Sequence, residues 1–188
     1  SYGRMVLTAY AAARIPPSSD FSEDAGGLIA SMHAAGLDRD AVRWSGEVDG
    51  GSQAWALLAL AAPNSSTGVS SGDIDSFMDD DSSSGQRKSR MLVAGLAGLD
   101  KIGEGALDQY DGRLGVNITA ESRWTRMIHQ AAAVNNRALV AMLAGLGMQG
   151  ASWDRMTARH LYHIVSALRR VGLDAEARMI AAEAVARA

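Results

Sequence analysis

Apolar residues recur every three or four positions along most of the chain, and Gly, Pro, Asn and Asp interrupt them at short intervals. That rhythm predicts an all-α fold of about seven or eight short helices joined by tight turns. A first helix over Arg4 to Arg14 stops before Pro16-Pro17, which supply no amide donor and clash with a helical predecessor. A second runs from Glu23 to Ala35, ends at Gly36 and restarts with Asp38 as N-cap. Ser52 caps a third over Gln53 to Ala62, closed by Pro63, and a fourth covers Gln86 to Gly98. Residues 101–120 read differently: Asp111-Gly112 is a turn signal, and Leu114, Val116 and Ile118 alternate as an extended piece would.

The last third is the most regular. Trp124, Met127, Ile128 and Ala131 define one apolar face, and Asn135-Asn136 breaks the run. Asn136 then caps a helix carrying Leu139, Val140, Leu143 and Leu146. Ser152 is the expected cap of the longest helix, whose face reads Trp153, Met156, Leu161, Ile164, Val165, Leu168 and Val171. Gly172 ends it, Leu173 folds back onto Leu168, and Asp174 caps the final helix.

Two internal matches stand out. Arg90 to Leu99 and Arg137 to Leu146 agree at eight of ten positions, at an offset of 47. Gly36-Leu37-Asp38 and Gly172-Leu173-Asp174 each combine a helix-ending Gly, a back-packing Leu and an acidic residue opening the next helix. This is the build of an αα-hairpin, and stacked hairpins make an α-solenoid. In these features the chain resembles bacterial helical-repeat proteins, which implies a single domain over 1–188 acting as an interaction or structural module. The segment 64–85 is Ser, Gly and Asp with little to bury, and is expected to be a flexible loop.

Composition sharpens this picture. Ala dominates the 47% apolar share and aromatics make up 5%, which favours closely packed helices over a thick core. A net charge of −3 predicts no nucleic-acid affinity. The charge is uneven: residues 1–120 carry 9 basic and 16 acidic side chains, residues 121–188 carry 9 and 5, about −7 against +4. The absence of Cys excludes disulfides and thiol chemistry without fixing a compartment, cytoplasmic or periplasmic. No apolar run approaches a membrane span, and no signal peptide is visible. The opening Ser1-Tyr2-Gly3 runs directly into a helical pattern, as expected of a fragment of a longer protein.

Candidate chemistry is sparse. The acidic run Asp73, Asp75, Asp79, Asp80 and Asp81 fails as an EF-hand loop, because Met78 stands where Gly and Ser84 where Glu is required. His160 and His163 lie i, i+3 without the third ligand of a zinc site; His160 falls at the flank of the apolar stripe and His163 outside it. His33 and His129 read as packing residues within Ala-rich helices. No cofactor or metal ligand set is read from these residues. Arg123, Arg126, Arg155, Arg159, Arg169 and Arg170 make the last third basic, and form a candidate interaction surface for an acidic protein partner. Trp44, Trp55, Trp124 and Trp153 read as large core fillers.

Glu121-Ser122-Arg123-Trp124, followed by Gly145-Leu146-Gly147-Met148-Gln149, resembles the lytic transglycosylases, in which a catalytic Glu and Ser precede an aromatic residue and a Gly-Leu-Met-Gln segment. The resemblance covers about 30 residues; Gln149 stands 28 residues after Glu121, and Gly147 parts Leu146 from Met148. It implies a cell-wall glycan-cleaving activity with Glu121 as general acid, its proton retained by burial. This is the alternative to a non-catalytic module.

Overall fold

The structure is a computed structural model, and it describes residues 2–63, 68–150 and 153–188. Among the described residues it is all-α, with eleven α-helices and no strand. The chain divides into two compact units, Ser1–Asp81 and Ser82–Ala188.

The first unit contains α1 (Tyr2–Ala12), α2 (Ala25–Ala34), α3 (Asp38–Val42), α4 (Gln53–Ala61) and α5 (Ser71–Asp79). From Ala54 to Ala61 every residue of α4 is buried, as its all-round apolar sequence requires. Ser52 caps it by accepting from the Trp55 amide at 3.1 Å. Packing of α2 on α1 is fixed by a polar clasp, in which the Ser31 hydroxyl donates to the Met5 carbonyl at 2.6 Å and meets the Thr8 hydroxyl at 2.9 Å.

The expected loop over 64–85 is instead helical at α5. Ser70 and Asp73 form a reciprocal capping box, and Ile74, Phe77 and Met78 fall at i, i+3, i+4 and are buried. Three apolar residues on one face suffice because Gly51 lets α5 approach: a Cβ there would stand 3.0 Å from the Asp73 carbonyl and 3.2 Å from the Phe77 amide. Residues 64–67 of that expected loop lie outside the described residues.

The second unit holds α6 (Arg87–Gly98), α7 (Glu104–Leu114), α8 (Arg123–Ala133), α9 (Arg137–Gly147), α10 (Ala158–Arg170) and α11 (Asp174–Ala186). Helices α6 and α10 form its centre: α6 packs on α10 and α11, and α10 also packs on α8 and α9. Met91 through Leu96 are all buried, as are Leu161, Ile164, Val165 and Leu168. The α6–α10 crossing is close at Gly98, where a Cβ would sit 2.9 Å from Val165 Cβ and 3.1 Å from the Tyr162 carbonyl. Gly98→Val is therefore expected to cost about 1–3 kcal/mol through overpacking. Gly112, exposed inside α7 with nothing near its missing Cβ, is the counterpart: Gly112→Ala should stabilise by about 0.5–1 kcal/mol. Urea denaturation of the two variants checks both signs.

Several expected boundaries move. The turn and extended piece proposed within 101–120 give way to α7, which contains Asp111-Gly112 and buries Leu107, Tyr110 and Leu114. Helix α7 ends at Gly115, and the Asp111 carboxylate then accepts from the Ile118 amide at 2.9 Å. Ser152, the expected cap of the longest helix, lies outside the described residues; α10 begins later, capped by Thr157 accepting from the His160 amide. Asp38 and Asp174 are first helical residues rather than N-caps, which are Leu37 and Leu173.

The hairpin links themselves follow the expected geometry. Gly36 (φ +72°) and Gly172 (φ +73°) adopt the left-handed conformation. The Leu37 amide donates to the Met32 carbonyl and the Leu173 amide to the Leu168 carbonyl, both at 2.9 Å. The same link closes α8, with Asn135 at φ +52° and the Asn136 amide donating to Ala131. The ten-residue match is helical in both copies, but its faces differ. Val93 and Leu96, like Val140 and Leu143, are buried; Leu92 and Leu99 are buried whereas Leu139 and Leu146 are exposed. Helix α6 is covered on several sides, and α9 on one.

Candidate interaction surface

Helices α8 and α9 form an αα-hairpin. Ser122 opens α8 with a capping box, accepting from the Thr125 amide at 3.1 Å while its own amide donates to the Thr125 hydroxyl at 2.7 Å. Asn136 opens α9 by accepting from the Leu139 amide. Inside the hairpin lie Ile128, Ala131 and Ala132 from α8 and Val140, Leu143 and Ala144 from α9. Trp124 joins the two helices: its indole donates to the Leu143 carbonyl at 3.2 Å, and its ring lies on Gly147.

The other face of α9 has no cover among the described residues. Leu139, Met142 and Leu146 stand at i, i+3, i+7 and are 37%, 71% and 52% exposed. Met127 on α8 and Val134 in the turn are exposed as well. The expected face Leu139, Val140, Leu143 and Leu146 is thus two faces, one buried and one open. Met127, expected on the inward face of α8, points out, and Thr125 takes a buried position.

The candidate arginines do not gather on one surface. Arg123 and Arg126 are exposed on α8, with Arg137 exposed at the start of α9. Arg126 stands 3.9 Å from Glu121. Arg155 is exposed in the turn before α10 and Arg159 is half-buried in its first turn. Arg169 and Arg170 are exposed at the far end of α10, about 15 Å away along its axis. Arg169 pairs there with Asp100 at 2.8 Å.

Glu121 precedes the N-cap of α8, and its side chain is 65% exposed. The burial that a glycan-protonating carboxyl needs is not there. Gln149 is exposed beyond the end of α9.

The histidines are organised in a way their spacing does not reveal. His163, expected outside the apolar stripe, is buried, and His129 Nε2 lies 2.7 Å from its Nδ1. His163 Nε2 is 3.2 Å from the Ala120 carbonyl, which only accepts, so Nε2 carries the proton and Nδ1 accepts from His129. Burial pushes the His163 imidazole down to about 4, helped by the neighbouring His129. Burial also lowers His129, with Arg170 acting in the same direction and Glu121 opposing. Two neutral rings thus tie the residue-120 loop to α8 and α10. Among the described residues no third His, Asp or Glu joins them as a metal-ligating group. His160 shares a 2.8 Å hydrogen bond with the Thr157 hydroxyl and lies against Trp124, ring centroids 5.2 Å apart. In the first unit, His33 Nδ1 meets Asp38 at 2.9 Å, tying the end of α2 to the start of α3.

Arg87 and Arg90, which no motif marked, line a pocket with Arg159 and His160. Their spacing on α6 is visible in the sequence, but the pairing with a helix some 70 residues later is not. Comparison of the chain with protein-family models, with curated proteins and with solved structures gave no match.

Proposed function

We propose that the chain is a non-catalytic helical interaction module, and that α9 docks an acidic amphipathic helix of a partner protein. The observation that carries this reading is the stripe Leu139, Met142 and Leu146, exposed along a helix of 11 residues. A soluble fold seldom leaves such a stripe open without a partner. An α-helix lying along it would engage it over about 16 Å, about three turns. Charge selects the occupant. Arg123, Arg126 and Arg137 are exposed on the same hairpin, and residues 121–188 carry about four net positive charges. A partner bearing Asp and Glu around its apolar stripe is therefore attracted, while a second copy of this basic unit is repelled. The successive hairpins α8–α9 and α10–α11, with their shared Schellman-type links, support the helical-repeat and solenoid reading of the module. No observation favours the glycan-cleaving alternative, because Glu121 is exposed and pairs with Arg126.

The test is fluorescence anisotropy with a labelled amphipathic Leu/Glu peptide of about four turns. Binding is expected, with a loss of about tenfold or more on Met142→Lys, since one buried anchor of this kind is worth over 1 kcal/mol. Equal binding of a Leu/Lys peptide, or no effect of Met142→Lys, would overturn the docking surface. Wild-type chain incubated with purified cell-wall glycan is expected to release nothing. Release that disappears in Glu121→Gln would restore the enzymatic reading.

A further inference from the structure

A pocket of about 450 Å³ opens in the second unit between the start of α6, the end of α7 and the start of α10. Arg87, Arg90 and Arg159 line it together with Ser84, Thr157 and His160, and none of the lining residues among the described ones is acidic. Three arginines lining one pocket, with no carboxylate among its described lining residues, make a positively charged wall that favours an anion.

The three arginines are not equivalent. Arg87 is held in place by its own bonds, donating from one terminal nitrogen to the Trp153 carbonyl at 2.6 Å and the Met156 carbonyl at 2.8 Å. Those bonds anchor the turn before α10, and both acceptors are neutral carbonyls. Arg90 and Arg159 each have a buried Nε–H with no acceptor, and neither forms an ion pair among the described residues. A buried donor without an acceptor is costly, and a charged one more so. The Ser84 side chain adds a hydroxyl to the lining. The 13-residue α10 presents its N-terminus at the same wall, and the first helical amides there, Ala158 and Arg159, have no intrahelical acceptor.

The charge and the donor geometry discriminate between anions. A carboxylate offers one negative charge and two oxygens in a plane. A phosphate monoester offers close to two charges and three tetrahedral oxygens, which suits several guanidinium forks approaching from different helices. We propose that this pocket binds the phosphate group of a small molecule, with Arg90 and Arg159 as its principal ligands and Arg87 as a fixed positive neighbour. The proposal stands independently of the α9 surface, and either can fail alone.

The experiment is an NMR titration of the whole isotope-labelled chain at constant ionic strength with inorganic phosphate, glycerol phosphate and, as control, acetate. Phosphate is expected to shift the amides of residues 84–91 and 157–160, and acetate to bind at least about tenfold more weakly. A tighter complex with glycerol phosphate identifies a phosphorylated small molecule as the source; equal affinity identifies free phosphate. Arg90→Gln and Arg159→Gln should each weaken binding by about tenfold, the loss of one charge-assisted bond. Arg39→Gln, at an exposed position on α3, should leave it unchanged. If a Gln variant does not fold, the wild-type shift map decides alone. Shifts scattered over the exposed arginines, acetate binding as well as phosphate, or undiminished binding in the folded Gln variants would each overturn the proposal.

Discussion

Leu96→Ala is expected to lower the stability of the second unit by about 2–5 kcal/mol, as truncation of a fully buried Leu does. Leu96 has no solvent exposure and sits in α6, the helix against which both α10 and α11 pack. Its match in the ten-residue repeat, Leu143, is also buried, and Leu143→Ala should cost an amount in the same range. The informative contrast is the pair Leu92 and Leu139. Leu92→Ala falls in the core and should cost as much as Leu96→Ala, whereas Leu139 is partly exposed on α9 and its truncation should cost about 1 kcal/mol or less. Urea denaturation of the four variants measures the asymmetry. Equal losses at Leu92 and Leu139 would mean that α9 is covered as α6 is, and would remove the open stripe on which the functional reading rests.

Acidification should produce the second large effect, through the paired imidazoles. His163 titrates near 4 in the folded chain, below the ordinary 6.5, because its ring is buried and faces His129. A folded-state value below the unfolded one means that the unfolded chain takes up the proton first. The stability is therefore intact above about pH 6.5 and is lost progressively as the pH falls toward about 4, by about 3 kcal/mol for this residue. The charged groups facing the pair act on both sides: Glu121 eases protonation of each ring, while Arg170 opposes it at His129 and His160 at His163. His163→Gln keeps a donor for the Ala120 carbonyl but cannot titrate. Its stability should change less between about pH 7 and pH 4.5 than that of the wild type, although carboxylates titrate in both. A profile as steep as the wild type would show that the pair carries no such linkage.

The helical class and most turns were legible because they depend on local chemistry. Gly36 and Gly172 end helices in a conformation that costs other residues more, and Ser52 and Asn136 offer the side-chain oxygen a helix start needs. Helix α5 escaped notice because only Ile74, Phe77 and Met78 interrupt its polar run, and its capping box uses Asp73 where Glu is the common partner. In α7 the Asp111-Gly112 pair carries a turn signal that the burial of Leu107, Tyr110 and Leu114 overrides. The candidate sites were less legible because they are tertiary. His129 meets His163 across 34 residues, and Arg87 reaches carbonyls 66 and 69 residues away. The open face of α9 escaped notice for a different reason. Leu139 and Val140 are adjacent in sequence, and an Ala- and Leu-rich helix does not disclose which of two neighbouring stripes is covered.

The central claim is that α9 is a docking face for an acidic amphipathic helix, and the location of binding tests it most directly. Titrating the isotope-labelled chain with the Leu/Glu peptide should shift the amides of Leu139, Met142 and Leu146 together with those of Arg126 and Arg137, and leave α6 and α11 unmoved. Shifts centred elsewhere, or none at peptide concentrations that saturate the anisotropy signal, would contradict it.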